Sequence, residues 1–481
     1  MIPRVQAATV AVLLLLSSVG MAAGVQLPEM GSTAGSIWSA HEQERIGKEL
    51  MRRLQQAGKL LEDPLITEYV EAVGARLVGS ADVLDQPFTF FVVDDPSINA
   101  FAAPGGYIGV HTGLIAAAQD EGEMAAVLAH EIAHVTQNHL ARAYEDASSM
   151  SLPAAAALLG AILLGGADAQ LGSAAIAGVA AGTVQRQINF TRDNEREADR
   201  IGIQILANAG FDPGDMPEFF ERMQRASRYY GTQLPSYLLT HPVTTDRLAE
   251  ARDRASSLPV RQQVLALEFH LAQARVVARA AEDLDATYQQ FHKMSTESQG
   301  VVRDAARYGE ALLLLRAKRI PAAREAALAL QREEPDRLAY RLLLADIEVA
   351  ASQWKEALTI YADALRLFPG NYPLALGYAT TLMQTDQAAK AREFLQEYMR
   401  GRAPDAELYR LAARASGEAG RVAEAHGYLA ESFHQLGHYG EAIRQLELAL
   451  KVHDLDLYTR ARLESRRNEM RTDMKREKAE S

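Results

Sequence analysis

Glu121-Gly-Glu-Met-Ala-Ala-Val-Leu-Ala-His130-Glu131-Ile-Ala-His134-Val135 is the stretch that decides the fold of the first half of this chain. Met124, Val127, Leu128, Ile132 and Val135 recur at helical spacing. The segment, carried on to about Tyr144, is therefore predicted to be one helix with an apolar stripe against a core. Residues four apart share a helix face, so His130 and His134 can each aim an imidazole nitrogen at one zinc ion. Glu131 follows the first histidine directly. That spacing sets its carboxylate beside the remaining coordination position, where it can take a proton from the attacking water and deliver it to a leaving amine. Such a short pattern also arises by chance, and paired histidines on helices are often plain surface residues. The apolar stripe and an available third ligand favour the chemical reading.

The metzincin pattern, with its histidine third ligand six residues after the second histidine, is disfavoured. Metzincins place glycine at 137 and histidine at 140, whereas this chain has Gln137 and Leu140, with His139 one place early. The alternative is a distant acidic ligand, and Asn194-Glu195-Arg196-Glu197-Ala198-Asp199 is the place to look. On a helix Glu195 and Asp199 share a face and Glu197 points roughly opposite. If Asp199 supports the site, Glu195 is the better candidate ligand, and Asp199 is left to orient a ligand histidine or to help protonate the leaving group. Without the two histidines this acidic cluster would read as a solvated face.

Outward from this motif, 481 residues exceed the ~250–300 over which one hydrophobic core keeps growing, so more than one domain is expected. The composition is globular, 48% hydrophobic and 23% charged, and with a net charge of −12 nothing in it points to a nucleic-acid binder, whose domain should be basic. Arg4 precedes an apolar run, Ala7 to Leu16, that ends in small residues, so residues 1–23 are read as a cleaved signal peptide. The run is shorter than the ~20 residues that span a bilayer. With no cysteine the chain has neither a disulfide nor a site for lipidation at a signal-peptide cysteine.

Helices are predicted over Glu42–Ala57 and Pro64–Val78, the second capped by Asp63. The period then changes. Phe88–Val93 is aromatic and β-branched, and Tyr107–His111 follows the turn Pro104-Gly105-Gly106, so both are strand candidates. The Tyr107–His111 strand is expected to offer an edge for an extended substrate, with His111 a non-ligand. Residues 151–188 hold an Ala/Gly-rich insert whose apolar halves are each about 14 residues, too short to span. Buried core helices or a lid are expected there, with peripheral membrane contact as the alternative. From Val260 onward no strand is expected. Pro335, Pro369 and Pro404 fall 34 and 35 residues apart, the tetratricopeptide period, with Trp354, Ala357, Tyr361 and Ala364 at packing positions. Tyr439-Gly-Glu-Ala442 lies 85 residues after Trp354, two and a half repeats, which predicts a half-repeat near Gly420. The charged tail 468–481 is expected to fray.

His130-Glu-Ile-Ala-His134, then Glu195-Arg-Glu-Ala-Asp199, then Thr240-His241-Pro242 with Arg247, preceded by Asn99-Ala100-Phe101 and Gly105-Gly106, resembles the gluzincin family of CAAX prenyl proteases and HtpX-type proteases over roughly residues 40–255. The resemblance implies one zinc held by His130, His134 and Glu195, with Glu131 and Asp199 catalytic, Asp199 as proton donor. His241 stays open: an oxyanion-stabilising group, an inhibitory fourth ligand, or a structural residue at a helix start. Signal peptide, protease domain and repeats together, with Glu424-Ala-His426, Glu431 and Gln445-Leu446 in the last repeats, resemble the periplasmic β-barrel assembly-enhancing proteases along nearly the whole chain. The fold implied is mainly α: a zincin-type α+β metalloprotease domain (40–255), linking helices (260–300) and an all-α superhelix of tetratricopeptide repeats (301–467). The function implied is a periplasmic zinc endopeptidase in outer-membrane protein quality control. Its partners would be unfolded or stalled β-barrel proteins and the assembly machinery. The alternative is a chaperone or scaffold whose protease site is mostly shut.

Overall fold

The computed structural model describes residues 39–81, 86–146, 181–230, 235–261, 266–453 and 455–480. The expected signal peptide and residues 151–180 of the insert lie outside them. Among the described residues no helix is long and apolar enough to cross a membrane.

Helix α1 (Ala40–Gln56) starts with a capping box, Ser39 accepting from the Glu42 N–H while the Glu42 carboxylate accepts from the Ser39 N–H. Helix α2 (Pro64–Val78) carries proline in its first turn and buries Ile66, Val70, Val73 and Leu77. Three strands follow: β1 (Thr89–Val93), β2 (Ala100–Ala103) and β3 (Tyr107–His111). Their order is β1-β3-β2, with β1 parallel and β2 antiparallel to β3. This corrects one expectation. The Tyr107–His111 strand is central and paired on both sides, so it has no edge to offer. The edges are β1 and β2, and the short Ala-Phe-Ala-Ala run of β2 gives little β signal in sequence. The β2–β3 turn needs glycine, because Gly105 and Gly106 have φ of +79° and +81° and a Cβ on Gly106 would sit 1.9 Å from the Pro87 carbonyl oxygen.

After α3 (Thr112–Ala117), α4 (Glu121–Thr136) is the core helix, buried at nearly every position. It ends earlier than the periodicity predicts. Asn138 takes φ +52°, a left-handed conformation that asparagine tolerates, and a new helix α5 (His139–Asp146) sets off from there. Helix α6 (Ala181–Asn208) packs along α4, and the two approach closely where a Cβ on Gly202 would lie 3.1 Å from the His130 backbone nitrogen. That crossing brings the preceding two turns of α6, with Glu195 and Asp199, beside His130. Helices α7 (Asp215–Tyr230), α8 (Ser236–Thr240) and α9 (Thr245–Ser256) complete the domain.

The second half is helical throughout its described residues: α10 (Leu267–Ala280), α11 (Leu284–Glu297), α12 (Gly300–Arg316), α13 (Ile320–Glu333), α14 (Leu338–Ala350), α15 (Trp354–Leu367), α16 (Tyr372–Gln384), α17 (Ala388–Met399), α18 (Ala406–Glu418), α19 (Val422–Gln435), α20 (Tyr439–Leu450) and α21 (Leu457–Glu480). The repeat shows in its turns. Lys318, Ser352, Asp386 and Gly420, each 34 residues after the last, all have positive φ. Gly437 repeats that turn after only 17 residues, so α19 closes a helix pair with α18 and opens another with α20. That is the half-repeat. The tail does not fray within the described residues, because α21 buries Leu463 and Met470 against Ala442, Leu446 and Ala449.

The repeats are tied back to the first domain at several points. Arg275 of α10 donates to Asp63 at 2.6 Å and to the Tyr308 hydroxyl at 3.2 Å. Glu68 of α2 accepts from Asn371 at 2.8 Å and from the Tyr372 N–H at 3.1 Å, at the start of α16. At the far end, the turn at Gly437-His438 and Glu477 of α21 return to Arg52 and Gln56 of α1.

Candidate metal centre

Helix α4 presents His130, Glu131 and His134 at 0%, 1% and about a tenth exposure, so burial of polar groups here must be matched by partners. The Nε2 atoms of His130 and His134 face each other at 3.0 Å. Glu195 of α6 enters from one side, its carboxylate oxygens 3.5 Å from His130 Nε2 and 3.4 Å from His134 Nε2. His241, at the C-cap of the short α8, closes the group: its Nδ1 is 3.0 and 3.1 Å from the two Glu195 oxygens and 3.3 Å from His130 Nε2. One donor atom from each of His130, His134, Glu195 and His241 falls within 4.8 Å of the others.

These spacings fit a metal. A tetrahedral zinc with ligands at ~2.0–2.1 Å has donor–donor edges of about 3.3–3.4 Å, and the closest approaches here are 3.0–3.5 Å. Imidazole nitrogens turned on one another at 3.0 Å repel through their lone pairs unless a proton or cation lies between them. Electrostatics agree. Burial raises a lone carboxyl, but His241, His130 and His134 around it hold Glu195 well below the usual carboxylate range. Burial pushes the His134 imidazole down to about 3, which leaves it neutral. For His130 burial acts in the same direction, but the Asp199 and Glu195 carboxylates outweigh it and hold the imidazole up at about 10. The two histidines differ because a carboxylate stands behind only one of them.

Behind His130, Asp199 Oδ1 lies 3.0 Å from Nδ1, on the far side of the ring from the facing donors. Asp199 therefore stays out of the cluster. Arg247 grips it with two hydrogen bonds of 2.7 Å and reaches Glu195 at 2.8 Å, so the arginine that supports Asp199 also fixes the third donor. This charge pair, together with His130, keeps the Asp199 carboxyl below its ordinary value despite burial. Behind His134 the arrangement differs: its Nδ1 meets His139 Nδ1 at 2.8 Å, and His139 Nε2 meets Glu197 at 3.1 Å. Glu197 thus points away from Glu195 and lies at the back of the other histidine. His139 was not legible as part of the site. Its signal is Asn138, whose tolerance of the left-handed turn swings His139 back towards α4.

Glu131 is buried beside the cluster, 3.4 Å from His241 Nε2, and accepts from the Ala102 N–H of the edge strand β2. Burial raises its carboxyl, the direction that suits a group taking up a proton. Tyr237 stacks on His241 with ring centres 4.9 Å apart, and its own N–H donates to the Ile98 carbonyl just before β2. His111 lies away from these groups, its Nδ1 2.8 Å from the Ser97 hydroxyl.

Peptidase family M48 matches residues 64–255, and a tetratricopeptide repeat family matches residues 348–415. The chain is 35% identical over 447 residues to the beta-barrel assembly-enhancing protease of Escherichia coli (strain K12), covering 92% of this chain and 91% of that protein. It is 34% identical over 448 residues to the protein of the same description from Yersinia pestis, with the same coverage. A more distant relative, the mitochondrial metalloendopeptidase OMA1 of Schizosaccharomyces pombe, is 31% identical over 199 residues, 41% of this chain and 55% of that one.

Proposed function

The chain belongs to peptidase family M48, as a metalloprotease with tetratricopeptide repeats behind its peptidase domain, and from that premise we propose that it is a periplasmic zinc endopeptidase that degrades outer-membrane β-barrel proteins stalled in assembly. The observation that carries this reading is the convergence of His130, His134 and Glu195 on one point with Glu131 buried alongside. The descriptions of the relatives from Escherichia coli and Yersinia pestis support the client class, and the apolar run Ala7–Leu16 supports export. The repeats recruit the clients or the assembly machinery.

His130, His134 and Glu195 hold the metal. When bound, zinc supplies a Lewis acid that polarises the scissile carbonyl and acidifies water. Glu131 takes the proton from the attacking water and carries it to the leaving amine. Its tie to the Ala102 N–H links the base to the edge strand, where an extended substrate adds by backbone pairing. Of the two roles open to Asp199, the geometry favours orienting His130. Both of its oxygens are engaged by Arg247, its carboxyl is depressed, and the His130 ring stands between it and the cluster.

One observation favours a second reading, a chaperone or scaffold that is usually shut. His241 sits among the candidate ligands and against Glu131, where as a fourth ligand it would fill the coordination position a substrate carbonyl needs. The test is metal analysis with cleavage of an unfolded outer-membrane barrel protein by wild type and Glu131→Gln. The endopeptidase reading expects about one zinc per chain in both, with cleavage reduced about 10²–10⁴-fold in the variant. A cell in which Glu131→Gln fully supports barrel assembly favours the scaffold.

A further inference from the structure

We propose that His139 is the positioning residue of His134, fixing its tautomer through a relay to Glu197, whereas Asp199 does the same for His130 directly. The inference rests on the metal-site reading above. His134 turns Nε2 towards His130 and Glu195, so Nε2 must carry a lone pair to ligate and the ring proton must sit on Nδ1. The group facing Nδ1 is His139 Nδ1 at 2.8 Å. It accepts that proton only if His139 carries its own on Nε2, which faces Glu197 at 3.1 Å. Arg142 donates to Glu197 at 3.2 Å and to Asn194 at 3.0 Å, and so holds the Glu197 carboxylate in place, two residues beyond Glu195 on α6. The chain of donors runs one way: His134 Nδ1–H to His139 Nδ1, His139 Nε2–H to Glu197.

His139 is 3% exposed and its two ring nitrogens have no other partner in this relay, so a packing role alone does not account for their alignment. The helix break supports the assignment. A continuous helix would set residue 139 five positions beyond His134, rotated about 140° from it. The left-handed turn at Asn138 cancels that rotation.

The test is Co2+ binding to full-length, metal-stripped protein by competition with a chelator, with the visible spectrum of the bound cobalt and the melting midpoint of the metal-free chain recorded alongside. His139→Ala is expected to weaken Co2+ binding about 10–100-fold and to change the cobalt spectrum. His139→Gln, whose amide can accept from His134 and donate to Glu197, restores most of the affinity. Glu197→Ala binds one Co2+ at saturation with affinity lowered a few-fold, and it decides the matter if the His139 variants do not fold. Unchanged affinity in His139→Ala, equal loss in His139→Ala and His139→Gln, or no change in Glu197→Ala overturns the proposal. If wild type binds no Co2+, or His130→Ala binds it as tightly as wild type, the metal-site reading has failed instead.

Discussion

The peptidase half and the repeat half of this chain handle charge in opposite ways. Around α4, His130, Glu131, Glu195, Asp199, Arg247 and His241 are each 8% exposed or less and lean on one another within a few ångströms. In the repeats the interior is mostly alanine, leucine and tyrosine, as with Ala357, Tyr361 and Ala364 along α15; a buried carboxylate, Glu348, is met by Arg324, and many other ion pairs lie at the surface, as with Arg366 and Asp363. The first half therefore depends on a few irreplaceable polar groups, because a charge buried without its partner is costly. The second depends on small side chains that let helices approach, with most contacts shared between neighbouring helices.

The contrast can be broken, and the largest effect tests it first. Glu195→Ala removes a donor and leaves Arg247 with one carboxylate fewer. The protein is expected to lose bound metal on dialysis and cleavage with it, and stoichiometric metal in that variant would remove Glu195 from the ligand set. Next comes Arg247→Ala, which strands Asp199 and Glu195 in the interior and is expected to lower stability by about 3–5 kcal/mol, read from denaturant unfolding of the full chain. A cost near zero would mean that water or rearrangement solvates the site and that its charge is not truly buried. In the repeats, Ala364→Leu overfills a contact with 0% exposure. It is expected to cost about 1–3 kcal/mol while cleavage of a short peptide, which needs only the peptidase domain, stays unchanged. Loss of peptide cleavage there would show that the ties through Asp63, Glu68 and Arg52 transmit repeat packing to the site. The smallest effect is a gain. Ser352 takes φ +57° in a repeat turn, so Ser352→Gly removes left-handed strain and is expected to stabilise by about 0.5–1 kcal/mol once glycine's entropy cost is counted; a raised melting midpoint checks it.

Legibility followed the range of the interaction. Within one helix, spacing alone put His130, Glu131 and His134 together, and set Glu195 with Asp199 apart from Glu197. The 34-residue period and its half-step were also written in the chain, because each repeat repeats its own turn. Three features were not. The strand Ala100–Ala103 lacks β-branched residues and exists because β3 pairs it. The fracture of the predicted long helix at Asn138 is a choice between two tolerated conformations. The ordering of 468–480 depends on where Met470 finds a groove.

By itself, then, the sequence determined the helix that carries the histidines, the acidic helix that answers it, the family, and the repeat architecture. All of these rest on periodicities that a few turns of chain suffice to express. Only the tertiary structure decided which groups meet. His241 lies 111 residues from His130, and His139 lies 58 from Glu197. Contact over such separations is set by how helices cross, here by the close approach at Gly202 and the turn at Asn138, and no local pattern encodes a crossing.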